Sequence, residues 1–279
     1  MHIRKMLPKD IDYAIRLTSN EGWSSIGLDF EELLSFDPLG CFVGEINDKP
    51  IGMICTISYN GFGFVSNLIV DPEYRNNKYG SFLLEHALEY LEKRRVKTQM
   101  LDGMQKAISL YERFGFEKRH KSLRLEGHVE PKESNNIRPM THDDLDSIDR
   151  FDAIFFGATR RRLLQSQLKH FPNLCRVAEN DGDLTGYIMG TERQETIRIG
   201  PWVMKENLEQ AEDLLMDFAS EIRGKRLKIG VLENSRACLH ILQKHDFVQK
   251  SFSWRMLRGN NGNWTFSDHL YAICSAARG

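Results

Sequence analysis

Apolar residues recur along the chain with two different periods, and the switch between them marks out its elements. Residues 10–19 and 29–36 read as helices, the second with Phe30, Leu33 and Leu34 at helical spacing. Residues 41–46 and 51–57 read as strands, joined by a hairpin turn at Asn47-Asp48-Lys49-Pro50; Asn, Asp and Pro adopt the dihedral angles such a turn needs. Residues 64–70 form a third strand, stopped by Asp71-Pro72. From Gly80 onward Leu84, Ala87, Leu88 and Leu91 give a helix one apolar face. Residues 98–102 then read as a short strand and 105–114 as a helix closed by Gly115. Strand, loop, helix, strand, helix, strand predicts an α/β domain on a mixed sheet.

The pattern then repeats. Ile3-Arg4-Lys5-Met6 returns as Ile137-Arg138-Pro139-Met140, an offset of 134 that Cys41 and Cys175, and Gly52 and Gly186, preserve. Phe116 faces Phe247 at an offset of 131, which allows for one small deletion. Internal repetition of this length reads as two copies of one domain, covering 1–130 and 131–279, with the polar stretch 128–136 as linker. The second copy shows strands at 186–190, 197–200 and 228–232 and an amphipathic helix at 208–222. Asn234 or Ser235 is placed to cap a last helix running to His245.

Composition narrows the function. The 279 residues carry 38 Lys+Arg against 39 Asp+Glu, a formal charge of −1. The halves carry 17 basic and 19 acidic, then 21 and 20. Neither has a field to gather nucleic acid or hold an anionic membrane. No apolar run nears the roughly 18–20 residues of a membrane span, and MHIRKMLPKD lacks the apolar core of a secretory signal. The expected address is the cytoplasm. Five scattered cysteines without CxxC read as small buried hydrophobes. Nine histidines without HExxH or HxH give no reason to expect a metal.

Two segments carry candidate chemistry. In the first, Leu68-Ile69-Val70 lead through Asp71-Pro72-Glu73-Tyr74 to Arg75-Asn76-Asn77-Lys78-Tyr79-Gly80-Ser81, which opens a helix. Such a turn aims backbone N–H groups at one spot and adds the positive helix end, so it can hold a pyrophosphate. The plainer reading is an ordinary strand-to-helix connection. The second segment, residues 101–116, puts Tyr111 on a helix after the next strand. Read alone, Tyr111 is a half-buried aromatic.

Taken together, Arg75, Gly80 and Ser81 in the loop and Leu110-Tyr111 with Phe114-Gly115-Phe116 resemble the GNAT superfamily of acyl-CoA-dependent N-acyltransferases, over nearly all of 1–127. Glu21-Gly22-Trp23, Asp29-Phe30 and Gly200-Pro201-Trp202 are similar to a bacterial subgroup with two GNAT-type halves. The resemblance implies two tandem domains, each a mixed, mostly antiparallel twisted sheet flanked by helices. It implies acetyl-CoA as cosubstrate: its pantetheine arm along Leu68, Ile69 and Val70, its pyrophosphate on the amides from Asn76 to Ser81, and Tyr111 as general acid to the departing thiolate. Lys78 stands where the family usually has its first glycine, and Met104 where many members have an asparagine. If the Lys78 position needs positive φ, a lysine costs about 1–2 kcal/mol. A turn shifted onto Asn77, with Lys78 on a phosphate, is the alternative.

The general base is not marked. Asp102 and Asp29 are candidates, each more readily read as a solvated or capping carboxylate, and Trp23 walls a substrate pocket or sits in the core. The second copy lacks the Arg-x-x-Gly-x-Gly loop and has Leu242 in place of the tyrosine. It reads as degenerate, closing the substrate pocket or supporting the sheet, with Arg160-Arg161-Arg162 as a solvated helix face. The expected activity is transfer of acetyl to a primary amine of a small molecule. The alternatives are a protein N-acetyltransferase, a non-catalytic acyl-CoA-binding module and a scaffold. The resemblance also carries homodimerisation, although no residue marks an interface.

Overall fold

The computed structural model describes residues 1–205, 207–222, 224–259 and 266–279. It divides into two compact units. The first is Met1–Lys118 with a short segment beginning at Met256 and Arg278; the second is Arg119–Arg255 with a segment ending at Ala277 and Gly279.

The first unit runs β1 (His2–Lys5), α1 (Ile11–Asn20), α2 (Gly27–Phe36), β2 (Cys41–Ile46), β3 (Lys49–Ser58), β4 (Gly63–Val70), α3 (Tyr79–Lys93), β5 (Thr98–Gly103) and α4 (Ile108–Arg113). Strands β1 to β4 pair antiparallel in chain order, and β5 lies parallel to β4. The sheet is mixed and mostly antiparallel, as expected. Asn47 and Asp48 turn the β2–β3 hairpin with φ of 50° and 59°, the left-handed pair that matches strand twist. Helix α3 buries Leu83, Leu84, Ala87, Leu88 and Leu91, the face it turns to β2, β3 and β4. The helix predicted over 105–114 is divided: a 3-10 turn at Gln105–Ala107 precedes α4.

Two irregularities in β4 matter for function. Met53 faces Ile69 while Cys55 faces Ser66, so Asn67 and Leu68 share one opposing residue. This is a β-bulge, with Asn67 at φ 50°. Parallel pairing with β5 covers only Gly63 to Val65, opposite Gln99 to Leu101. Beyond Val65 the β5 side of β4 has no strand partner among the described residues.

The second unit follows with β6 (Glu117–Gly127), β7 (Ile137–Pro139), α5 (Leu145–Phe156), α6 (Arg161–His170), β8 (Cys175–Asn180), β9 (Asp183–Glu192), β10 (Thr196–Met204), α7 (Leu208–Ser220), β11 (Arg226–Leu232), α8 (Arg236–Lys244), β12 (Val248–Gly259) and β13 (Leu270–Ala272). Its design repeats the first. Asp181 and Gly182 turn the β8–β9 hairpin with positive φ, 134 residues after Asn47 and Asp48. A bulge interrupts β10 between Ile199, opposite Gly190, and Trp202, opposite Ile188. Arg4 holds Asp10 and Glu45, and Arg138 holds Asp144 and Glu179, each residue displaced by 134.

The final strands are exchanged. β6 follows the first copy in sequence, yet it pairs antiparallel with β11, Leu227 opposite Gly127 through Leu232 opposite Ser122. In the first unit the neighbour of β5 is β12, whose residues from Met256 belong to that unit. Arg278 is also built into the first unit, and its buried guanidinium donates to Asp29 and pairs with Glu32. Arg160 departs from the expected solvated face. It is buried, paired in two hydrogen bonds of 2.8 Å with Asp152, and stacked 4.0 Å over Phe156. Asp152 on α5 gives its charge a buried partner, while Arg161 and Arg162 are exposed. Ser235 precedes α8 as expected, without a side-chain cap bond. All five thiols are buried and unbridged.

Candidate active site

The site grows from the end of β4. Past the bulge, Ile69 is buried while Leu68 and Val70 are half-buried, and the backbone on the β5 side is open to pair with an extended ligand. The chain then makes a 3-10 turn at Pro72–Tyr74, and Asn76 and Lys78 take φ of 66° and 62°. Left-handed residues spaced this way turn successive N–H groups toward a common centre, an anion-binding nest. The turn does not shift onto Asn77: Lys78 itself takes the left-handed conformation. Its backbone position is the N-cap of α3, where a displaced turn would break the helix start. Asn77 instead braces the loop, its side-chain amide donating to the carbonyls of Tyr74 and Arg75 at 3.3 and 3.0 Å.

Helix α3 begins without a side-chain cap. Phe82 N–H is the first to turn back, onto the Lys78 carbonyl at 3.1 Å. The amides of Tyr79, Gly80 and Ser81 have no carbonyl a turn behind them, and among the described residues none from Asn76 to Ser81 donates in a turn or cap bond. Six N–H groups beside a positive helix end are therefore without a backbone partner in such a bond. Gly80 shows what adjoins the helix start: a methyl group placed there would lie 3.8 Å from both Val70 Cγ2 and Leu110 Cδ2. The open strand edge, the uncapped helix and α4 meet at this residue.

Tyr111, next to Leu110, is 8% exposed. Its ring lies edge-on to Phe116, with centroids 6.1 Å apart. It also packs against Gly103, where a Cβ would come within 3.0 Å of Tyr111 Cδ2. Burial pushes its phenol up to about 12, so the hydroxyl stays protonated at neutral pH. The hydroxyl makes no hydrogen bond with another described residue. A protonated, uncommitted phenol is a group able to give a proton.

The structure adds one residue that the sequence did not single out for the site. Glu21, in the turn between α1 and α2, is nearly buried and accepts from both Arg75 and Lys106. Burial alone would raise its pKa; the hydrogen bonds from Lys106 and Arg75 outweigh that and hold it below the usual carboxylate range. Arg75 in turn donates Nε–H to the Val70 carbonyl at 2.9 Å. Glu21 thus fixes two loops, one from the end of β4 and one after β5. The only sequence trace was its place in Glu21-Gly22-Trp23.

The weaker substrate candidates fall as follows. Asp29 accepts from the Ile26 N–H at 2.9 Å, closing the α2 cap, and from Arg278 at 3.0 Å, both fold-supporting bonds. Trp23 is half-buried, neither core nor free surface, and its N–H donates to the Thr18 carbonyl at 2.9 Å. Asp102 is half-buried near the end of β5. In the second unit, Asn207 caps α7 by accepting from Gln210 N–H at 3.0 Å, so an amide left open in α3 is satisfied in α7. No cluster of three or more His, Cys, Asp or Glu suited to a metal occurs among the described residues. None of their helices is long and apolar enough to cross a membrane.

A splayed parallel pair beside an uncapped helix start thus lies on a largely antiparallel sheet. Comparison with known proteins supplies the family. Residues 12–116 match the Acetyltransferase (GNAT) family and residues 148–272 a further Acetyltransferase (GNAT) domain. The chain belongs to the GNAT acetyltransferases, with two such domains in tandem, and is an N-acyltransferase. It is 27% identical over 245 residues to the holothin acyltransferase of Pseudoalteromonas sp., covering 86% of this chain and 81% of that protein. Its fold is shared with a Pyrococcus horikoshii protein described as an acetyltransferase (TM-score 0.84, 24% identity, 100% of this chain and 95% of that one). A tandem GNAT protein from the clavulanic acid biosynthesis pathway has the same fold at a TM-score of 0.64 and 13% identity, over 92% of this chain and 98% of that one.

Proposed function

We propose that this chain transfers an acetyl group from acetyl-CoA to a primary amine of a small molecule, with the chemistry in the first unit. The observation that carries the reading is the convergence at Gly80 of the open β4 edge, the uncapped start of α3 and the helix bearing Tyr111. GNAT acetyltransferases use acetyl-CoA, and the groups gathered here suit its parts. The open backbone from Leu68 to Val70, apart from the Val70 carbonyl that Arg75 occupies, pairs with the amide-bearing pantetheine arm. The N–H groups from Asn76 to Ser81 take the pyrophosphate. Arg75, Lys78 and Lys106 contribute positive charge around that position.

The amine nitrogen attacks the acetyl carbonyl carbon, and a strand N–H at the open edge stabilises the developing oxyanion. The new C–N bond forms as the C–S bond breaks. Tyr111 gives its phenolic proton to the sulfur, and the nitrogen loses its proton to a carboxylate or a water chain. Asp102, at the strand end, is the carboxylate we favour. The first unit is assigned as the catalytic domain and the second as a domain without a catalytic site of its own. A compound rather than a protein tail as acceptor is supported by the compound named for the Pseudoalteromonas relative, and a formal charge of −1 gives no net acidic excess to gather basic peptides.

The test is calorimetric titration of acetyl-CoA, followed by measurement of free CoA thiol released across a panel of small amines and amine-bearing peptides. Saturable binding with thiol release dependent on a small amine is the expected outcome. Binding without turnover on any amine would make the chain a non-catalytic acyl-CoA module, turnover on peptides alone would move the acceptor to protein, and absence of binding would end the reading.

A further inference from the structure

We infer that residues 269–274 occupy, in the second unit, the groove that the first unit leaves open for the pantetheine arm, and so close the second copy to acyl-CoA. The inference rests on the reading of the β4 edge given above.

The two sheets splay at the same place. β4 runs parallel to β5 up to Val65 and bulges between Ser66 and Ile69. β10 runs parallel to β11 over Thr196 to Ile199 and bulges between Ile199 and Trp202. In the first unit the strand beyond the bulge has no strand partner on that side among the described residues. In the second, β13 pairs antiparallel with it, Ala272 opposite Trp202 and Leu270 opposite Val203. The hydrogen bonds reach both walls of the wedge: Met204 N–H on β10 donates to the His269 carbonyl at 3.1 Å, and Ile273 N–H donates to the Gly230 carbonyl on β11 at 3.0 Å. A segment bonded to β10 on one side and β11 on the other is doing, with its own amides, what an extended amide-bearing ligand does at a splayed strand pair.

The walls are shaped to admit it. Gly200 has φ 143°, and a Cβ there would lie 2.0 Å from the Ile273 carbonyl oxygen. A Cβ on Gly230, on the opposite wall, would lie 2.8 Å from Ile273 Cγ1. Tyr271 packs its ring on the buried Trp202 with centroids 5.0 Å apart, and Tyr271, Ala272, Ile273 and Cys274 are all buried. At the corresponding helix start, Asn207 takes up the Gln210 N–H of α7, where α3 has no side-chain cap. The occupant is therefore a stretch of this same chain, and the protein carries one acyl-CoA site per chain.

Hydrogen exchange on the full-length protein, with and without CoA, together with native mass spectrometry, tests this. Without ligand, the Ile273 and Met204 amides should exchange as slowly as the β9–β10 ladder. With saturating CoA, one molecule should bind per chain, protecting Leu68 to Val70 and leaving Trp202 to Met204 unchanged. Gly230→Ala should speed exchange at Ile273 at least tenfold without altering CoA stoichiometry; if that variant does not fold, the wild-type exchange decides. Fast exchange at Ile273, a second CoA, or CoA-dependent protection at Trp202 to Met204 would overturn the inference. If no CoA binds anywhere, the reading of the β4 edge fails, whereas slow exchange at Ile273 still upholds the filled wedge.

Discussion

Tyr111 sits where burial holds its phenol protonated, with a pKa up at about 12. The acid role proposed for it rests on that combination of burial and a hydroxyl with no hydrogen bond to another described residue. Tyr111→Phe keeps the ring against Gly103 and Phe116 and removes only the proton. Turnover should fall about 100-fold, in the range of general acid catalysis, with KM for acetyl-CoA changed less than about threefold. Equal turnover across a full pH profile would remove the assignment. Because the phenol stays protonated until near its raised pKa, any alkaline loss of kcat in the wild type below about pH 10 belongs to another group. Glu21 acts at one remove, through Arg75 and Lys106. Glu21→Gln keeps the shape and removes the charge, and the loss of charge-assisted bonds should raise KM for acetyl-CoA about tenfold. A fall in kcat with KM unchanged would instead make Glu21 a participant in proton transfer. Tyr111 was legible in the sequence because it stands within a local motif. Glu21 was not: its partners lie 54 and 85 residues away, and only the folded chain brings them together.

Helices α3 and α7 differ at their first turns. In α7 the Asn207 side chain takes up an orphan N–H, the ordinary solution for a helix start. In α3 the N-cap is Lys78, left-handed and with no side-chain cap bond. Forgoing a cap and placing a lysine at positive φ each cost about 1 kcal/mol, and the return is a set of open amides. Gly80→Asp distinguishes stability from function by opposite signs. A carboxylate in the first turn of a helix is favourable by about 0.3–1 kcal/mol, and the space at Gly80 is at ordinary contact distance, so thermal stability should hold or rise slightly. The same charge sits against the expected pyrophosphate and should weaken CoA at least tenfold, as read by calorimetry at low salt. CoA bound as tightly as in the wild type would show that the amides at 79–81 do not take the phosphates. The loop's position was readable from Arg75, Gly80 and Ser81. The bulges were not, since nothing local distinguishes Asn67 from any other strand residue; only the mismatch in register with β3 reveals it.

At the scale of the whole chain, the duplication seen as an offset of 134 is carried by matching ion clusters as well as by sheet geometry. The exchange of β6 and β12 was hidden, because each strand has the same apolar pattern whichever sheet receives it. What the repeat predicts is a shared response to acid. Arg138 donates to Asp144 at 2.9 and 2.7 Å and to Glu179 at 3.2 and 2.6 Å. Its hydrogen bonds, with lesser help from the Thr141 N–H and hydroxyl, lower Asp144 from 3.8 to about 2. In the first unit, burial of Asp10 opposes ionisation, but the Arg4 bonds and the Leu7 N–H outweigh it and the net direction is again downward. A carboxylate whose folded pKa lies below its unfolded value stabilises the fold fully above the unfolded value and loses that contribution as pH falls through the folded one. The Asp144 cluster therefore loses its contribution between about pH 4 and pH 2, and the Asp10 cluster loses its own as pH falls below the ordinary aspartate range. Arg138 is 40% exposed, so solvent screening limits the Asp144 contribution to about 1 kcal/mol. Asp144→Asn should lower unfolding free energy by about that amount at pH 7, with the deficit shrinking below pH 4 and vanishing near pH 2. Urea unfolding at stepped pH measures it, and a deficit that stays constant down to pH 2 would show that Asp144 acts through the Thr141 cap geometry rather than through its charge.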